Sequence, residues 1–361
     1  MRLGWQSALR GLLGASLCGA LLGASAAPPA DPDLAATSDA SERAAAQPAA
    51  EYPEPLRAAW QRFEAPNLAH MRDWWRARAP VTASTVFYPF SGPDIANALA
   101  VFPDADSYVL FGLEPPGSIP DLHALDDETI KSGYDALAKS LSDVLQVNYF
   151  FTRAMAKKLG TGAFNSTTGL LEFFLAMSDC EITNARTVAI GDGGALVDGT
   201  PSARIPGVEI TFRRPGGKDQ TLRYFMVNVA DTSLAKGSSD FLSYLDSQQR
   251  FATMIKSASY LLHKDGLAEP THFETIRALI LDHSDVVVQD DSGVPLKSFA
   301  RDTWRLEFHG RYAAPTPEFR KYLQKDLRVE MQRNSTGTLP FSYGYAYRQG
   351  ESNLMIAERR Q

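Results

Sequence analysis

The chain has 361 residues, 44% of them hydrophobic, and a formal net charge of -6. That is enough apolar material for one sizeable core. An acidic balance with no dense cluster of Lys and Arg excludes nucleic acid and anionic membrane surfaces as partners.

Residues 1–26 have the form of a cleavable signal peptide. Arg2 and Arg10 flank and enter an apolar run from Gly11 to Gly23, and Ala24-Ser25-Ala26 supplies the small-x-small cleavage pattern. Cleavage is expected after Ala26, so the protein is expected to be exported, to the periplasm or the medium. The apolar run is far shorter than the roughly 20 residues of a spanning helix, and no later stretch is long and uncharged enough, so no transmembrane segment is expected. Cys18 sits where a lipoprotein signal carries its acylated cysteine, but Leu17 before it is too large for that enzyme. Once residues 1–26 are removed Cys180 is the remaining cysteine, and no internal disulfide can form. It reads as a buried small apolar residue, with a free nucleophilic thiol as the alternative.

Residues 27–50 are rich in Ala, Pro, Ser, Asp and Glu and cannot offset the entropy of ordering, so a disordered linker is expected there. A single α/β domain is expected over 51–361. Two helical stretches fill Pro53 to Ala79, separated at Ala65-Pro66-Asn67, with Trp60, Phe63, Trp74 and Trp75 among their apolar positions. Ser84 to Phe90 is a β-branched and aromatic strand, Ser91-Gly92-Pro93-Asp94 a turn, Ile95 to Phe102 a short helix and Ser107 to Leu113 a second strand. Two apolar strands joined by a helix pair in parallel in a sheet covered on both faces.

Asp127 to Val147 is an amphipathic helix, Asn148 to Leu159 a second, and Thr168 to Met177 a third that is apolar nearly all round and therefore buried. Gly207 to Arg214 and Thr221 to Val229 form an antiparallel hairpin, and 180–230 could make a lobe of its own. Phe241 to Leu262 reads as one long helix. Thr271-His272-Phe273-Glu274 has the spacing of a capping box that opens another helix, which ends before a strand at Asp285 to Gln289. Trp304, Leu306 and Phe308 alternate with charged residues in a strand, and Phe341 to Tyr347 with Ser352 to Glu358 is expected to form a terminal hairpin. The fold class expected is α/β: three layers on a mixed, partly parallel sheet with a Rossmann-like beginning, and antiparallel hairpins in the C-terminal half.

In open α/β sheets ligands bind beyond the carboxyl ends of the strands. Ser91, Gly92 and Asp94 follow the first strand, Glu114 the second, Asp231 and Ser233 the hairpin strand, and Asp290 and Asp291 the strand through Gln289. If these strands are parallel neighbours, their acids face one cleft that takes a small polar ligand. The competing reading is local for each: Asp94 as a helix cap, Glu114 as a strand end, Asp290-Asp291-Ser292-Gly293 as a turn. Two adjacent carboxylates also suit a hard cation, but no motif-length array of oxygen ligands accompanies them and no metal site is expected. His283, between Asp282 and Asp285, would serve acyl transfer with Ser91 or Ser233, although no Gly-x-Ser-x-Gly elbow is present. His70, His123, His263, His272 and His309 show no zinc spacing. Tyr343, Tyr345 and Tyr347 at period two share one strand face, either packed or a stacking platform for a sugar or other flat ligand.

Tyr88-Pro89-Phe90-Ser91-Gly92-Pro93-Asp94, Gly112-Leu113-Glu114-Pro115, Gln289-Asp290-Asp291-Ser292-Gly293 and Glu351-Ser352-Asn353-Leu354 resemble an uncharacterised family of exported bacterial proteins. That resemblance lends the domain an identity but no reaction, and leaves any cofactor unknown. The opening strand, turn, helix and strand is also similar to the start of a class I methyltransferase, which would place Glu114 against a ribose. Its turn is poorer in glycine than that family's, and Pro93 removes an amide donor. The function expected is therefore a small-ligand protein of the cell exterior, with a non-catalytic envelope scaffold using the aromatics of 52–79, or a hydrolase, as alternatives.

Overall fold

Glu54–Phe63 (α1) and Ala69–Arg76 (α2) lead into the body of the domain. Pro66 does not separate them as the sequence suggests, because Glu64–Leu68 forms a π-helical turn that continues from one to the other. The widened turn relieves the clash a proline makes with the preceding helical turn. The computed structural model describes residues 52–78, 82–119, 125–147, 166–200, 202–265, 271–312, 315, 317–345 and 350–360. The expected signal peptide, the linker, the Asn148 to Leu159 helix, His123 and Tyr347 lie outside the described residues.

Thr85–Tyr88 (β1), Ile95–Val101 (α3) and Ser107–Gly112 (β2) form the expected unit, and the two strands pair in parallel. Val86 and Tyr88 belong to one apolar core and Phe87 to another on the opposite face. This is why β1 is apolar at successive positions rather than alternating. Asp127–Val147 (α4) and Thr167–Met177 (α5) follow. Ser166 caps α5 by accepting the Gly169 N–H at 3.1 Å, and Leu170, Leu171, Phe173 and Leu175 are buried around it.

Glu181–Ile190 (β3) runs antiparallel to both of its neighbours, Leu196–Asp198 (β4) and Pro206–Arg213 (β5), and β5 forms the expected hairpin with Asp219–Met226 (β6). These strands continue the main sheet. Ser239–Ser247 (α6) is much shorter than the helix expected from Phe241 to Leu262. Gln249 takes a left-handed conformation with φ 61°, and Phe251–Ile255 (β7) returns to the sheet. All five β7 residues are buried, and a short run that is apolar on both faces carries no period to distinguish strand from helix.

Glu274–His283 (α7), Ser284–Gln289 (β8), Trp304–Gly310 (β9), Lys325–Asn334 (α8) and Asn353–Arg359 (β10) complete the fold. The terminal hairpin is not formed. Residues 341–345 are irregular, and β10 pairs antiparallel with both β8 and β9. The ten strands make one mixed sheet in the order β4-β3-β5-β6-β2-β1-β7-β8-β10-β9. Within it β6, β2, β1, β7 and β8 are mutually parallel. Numbered by their sequence, these five stand in the order 3-2-1-4-5, so the winding reverses between β1 and β7. Apolar residues of α1 to α5 pack on one face and those of α6 to α8 on the other, giving three layers.

Candidate functional site

In open α/β sheets such a reversal is where the loops leaving the two central strands can diverge beyond the carboxyl rim and leave room for a ligand. Here the loops leaving β1 and β7 are both wound in an unfavourable way. Phe90 has φ 59°, Ser257 54°, Ser259 52° and Tyr260 53°. Left-handed backbone at a non-glycine residue costs roughly 1–3 kcal/mol and persists only where surrounding contacts impose it. Here the contacts are polar and buried.

Asp94 caps α3, accepting the Asn97 N–H at 3.5 Å and its side-chain amide at 2.8 Å. Its Oδ2 also accepts the Tyr88 hydroxyl at 2.9 Å and the Lys256 ammonium at 3.1 Å. Asp94 and Lys256 are both buried, so an ion pair in low dielectric ties the β1 loop to the β7 loop across the reversal. Lys256 escaped the sequence analysis because it fell within the supposed long helix.

Ser91 is buried, with its hydroxyl on the Gly92 carbonyl at 3.0 Å. Gly92 has φ 54°, and no described atom lies within 4 Å of where its Cβ would stand, so the rim is open at this point. Glu114 is buried beside it, since a Cβ on Gly112 would meet the Glu114 carboxylate at 2.6 Å and the Gly92 backbone at 3.3 Å. Burial pushes the Glu114 carboxyl up. Its Oε2 accepts the Leu113 N–H at 3.2 Å, and Tyr224 donates to its carbonyl at 2.9 Å.

Asp290 and Asp291 leave β8 next to the β7 loop. Asp290 Oδ1 accepts the Ser292 hydroxyl at 2.7 Å and the Ser257 N–H at 3.3 Å. Its Oδ2 is buried with no hydrogen-bond partner among the described residues. Burial, and then the neighbouring charge of Asp291, pushes the Asp290 carboxyl up to about 7. Asp291 is raised by burial as well, against the Tyr260 hydroxyl at 2.5 Å and the Asn353 amide at 2.9 Å, which favour its ionised form.

Tyr343 and Tyr345 do not share a strand face, yet both hydroxyls reach this rim. Tyr343 donates to the Ile255 carbonyl at 3.2 Å, and Tyr345 to the Ser257 carbonyl at 2.7 Å. The buried Tyr343 hydroxyl is held protonated by burial and by the charges of both Asp290 and Asp94, and it bridges β7 and β8 through the Ile255 and Val288 carbonyls. Asp94, Glu114, Asp290 and Asp291, distant along the chain, thus gather at neighbouring strand ends.

Asp231 and Ser233 lie apart from this network. Asp231 Oδ2 and Oδ1 accept the N–H groups of Glu274 and Thr275 at 2.9 and 3.1 Å, and His272 Nδ1 lies 3.2 Å away. The N-terminus of α7 is therefore capped from a distant residue and not by the local box at Thr271. Ser233 is half-buried and donates its N–H to the Ala230 carbonyl at 2.7 Å. His283 ends α7 at the amino end of β8, against the Gln249 carbonyl at 2.8 Å. It is on the opposite rim from Ser91, so the triad does not assemble. Cys180 is buried and its thiol is pushed up by burial, which leaves no reactive thiolate. Trp60, Phe63 and Trp75 are buried, and Trp74 packs on Trp75, His309 and Phe341, which removes the aromatic surface an envelope scaffold would use.

Away from the carboxyl rim, a shallow depression of about 260 Å³ beside β9 is lined by Arg78, Arg301, Glu307, His309 and Glu330 among others. Its charges are matched within the chain: Arg78 pairs with Glu307, and Arg301 with Glu330 at 2.9 Å. Among the described residues no group of three or more His, Cys, Asp and Glu is arranged to hold a metal, and no helix is long and apolar enough to cross a membrane. Comparison with protein families, with curated proteins and with solved structures finds no match to this chain.

Proposed function

We propose that the domain binds a small polar ligand, or acts on one, in the crevice between the β1 and β7 loops, with Asp290, Asp94 and Glu114 as its acidic wall. The 3-2-1-4-5 order of the parallel strands is the Rossmann-like order, in which ligands occupy the point of reversal. That part of the argument is an analogy of fold. What carries the reading is Asp290: a buried carboxyl whose second oxygen has no hydrogen-bond partner among the described residues and lies against Gly344, at the end of β8, one strand from the reversal. Leaving such an oxygen unsatisfied costs about 1–3 kcal/mol, and a polar ligand that donates to it recovers that cost. Glu114 is turned toward its own backbone, which supports a role in shaping the rim rather than in holding a ribose.

The test uses the mature chain from residue 27 in a thermal-shift screen of polar ligands, followed by titration calorimetry. A ligand that stabilises the wild type should lose at least ten-fold in affinity with Asp290→Asn, while the far-ultraviolet circular dichroism is unchanged. Undiminished binding by that variant would move the site elsewhere. Export belongs to the same proposal. N-terminal sequencing of the protein recovered from the periplasm or medium should begin at Ala27, and a cytoplasmic product retaining Met1 would refute it.

A further inference from the structure

Resting on that crevice, the ligand class can be narrowed. Six of the amides at these strand ends that could serve a nucleotide phosphate are already used. Gly92 donates to Phe111 O, Ile95 to Pro93 O, and Asp291 to Asn353 Oδ1. Ser257, Ala258 and Ser259 donate to Asp290 Oδ1, Ser292 Oγ and the Tyr345 hydroxyl. Lys256, the cation of the crevice, is held by Asp94. The rim is therefore acidic and has its donors turned inward, the reverse of an anion site.

Beside these acids stands a cluster of four aromatic rings. Tyr260 lies 5.0 Å from Phe319, 5.5 Å from Tyr322 in a parallel stack and 6.2 Å from Tyr345, and Phe319 is 5.8 Å from Tyr345. Tyr260 is buried and donates to Asp291, whereas Phe319, Tyr322 and Tyr345 are half-buried. The chain already seats an ammonium on this cluster, since Lys321 Nζ lies 4.9 Å from the centroid of the Tyr322 ring. Aromatic rings with a buried carboxyl at the hydroxyl end of Tyr260 form an environment that suits organic ammonium groups.

We infer that the rim formed by Tyr260, Phe319, Tyr322 and Tyr345 with Asp290 and Asp291 binds an organic ammonium compound. The rings attract the cation through their quadrupoles, and the buried acids behind Tyr260 add a negative field rather than direct contacts. A phosphate ester meets acids and spent amides in the same place and is repelled.

Calorimetry of the mature chain at low salt with choline, tetramethylammonium, the neutral choline isostere 3,3-dimethyl-1-butanol, glucose and inorganic phosphate tests this directly. Choline and tetramethylammonium should bind at least ten-fold more tightly than the isostere. Tyr322→Phe should retain that binding, Tyr322→Leu should lose it, and Asp290→Asn should weaken it. Lys321→Gln, which removes that ammonium from the Tyr322 ring, should strengthen it. If glucose, the isostere or phosphate binds as well as the ammonium compounds and remains sensitive to Asp290→Asn, the inference falls and the crevice stands. Ammonium binding that ignores both Tyr322→Leu and Asp290→Asn overturns it by placing the site elsewhere. If none of the five compounds binds, the inference falls, and the wider polar screen then decides the crevice itself.

Discussion

The β3-β5-β6 wing and the carboxyl rim of the parallel strands treat buried acids in opposite ways. In the wing, Glu209 receives the Arg186 Nε at 2.8 Å and the Arg223 Nε at 2.6 Å, one carboxylate between two guanidinium groups. At the rim, Asp290, Asp291 and Glu114 are buried more deeply and pair with hydroxyls, amides and backbone instead. Charge matched at once by charge is a structural solution. Acids kept desolvated and under-compensated destabilise the fold by themselves, and regions of this kind are where a protein departs from local consistency for the sake of a function.

The largest effect that would break the contrast is at the single rim acid that does have a cation. Lys256→Met leaves Asp94 buried opposite an apolar side chain and should destabilise the domain by about 3–5 kcal/mol, measured by urea denaturation at pH 7. A loss below about 1 kcal/mol would show that the pair does not join the two loops. Next comes Asp290→Asn, which should stabilise the free protein by about 1–3 kcal/mol at pH 8 by replacing a desolvated charge with a neutral amide. Its pH dependence sharpens the point. The unfolded chain titrates this carboxyl near 4 and the folded chain near 7, so the folded state keeps the proton longer. The contribution of Asp290 to wild-type stability is then greatest below about pH 4 and declines as pH rises to about 7, and Asp290→Asn should remove that part of the slope. A slope identical in both proteins would show that Asp290 is not the titrating group.

In the wing, Glu209→Gln leaves two partly buried guanidinium groups facing an amide and should cost about 1–2 kcal/mol. The smallest effect is expected at Asp198, fully exposed at 3.1 Å from Arg186. Asp198→Asn should leave the denaturation midpoint unchanged, and a clear shift would mean that the wing, like the rim, depends on exposed charge.

The strand, turn, helix and strand from Thr85 to Gly112 was legible because its signals agree: β-branched apolar runs, a Gly-Pro turn and Asp94 before the helix. Three of the acidic clusters, at Asp94, Glu114 and Asp290-Asp291, were found by their place after strands. β7 was not legible. It follows Gln248-Gln249-Arg250, a turn without glycine or proline, and its buried residues carry no period. With that strand the sequence reading lost Lys256, Ser257 and Tyr260, half of the rim. Asp231 was misjudged for the opposite reason. Its position after β6 resembles that of the other acids, but its bonds run to amides more than forty residues later, and no local pattern announces a cap supplied from so far away. The tyrosines at 343 and 345 were noticed through a strand period that does not exist, and matter instead through hydroxyls that bridge to β7 and β8.

The placement of β10 has a consequence for assembly. It is synthesised after β9 yet inserts between β9 and β8, so β9 cannot join the sheet by adding to an existing edge. Until β10 arrives, Trp304 and Phe308 belong to a strand without a neighbour, and the free flank of β8 is a template for strands of other molecules. Refolding should therefore become concentration-dependent at this step, and variants that weaken β10 should aggregate before they lose the parallel half of the sheet.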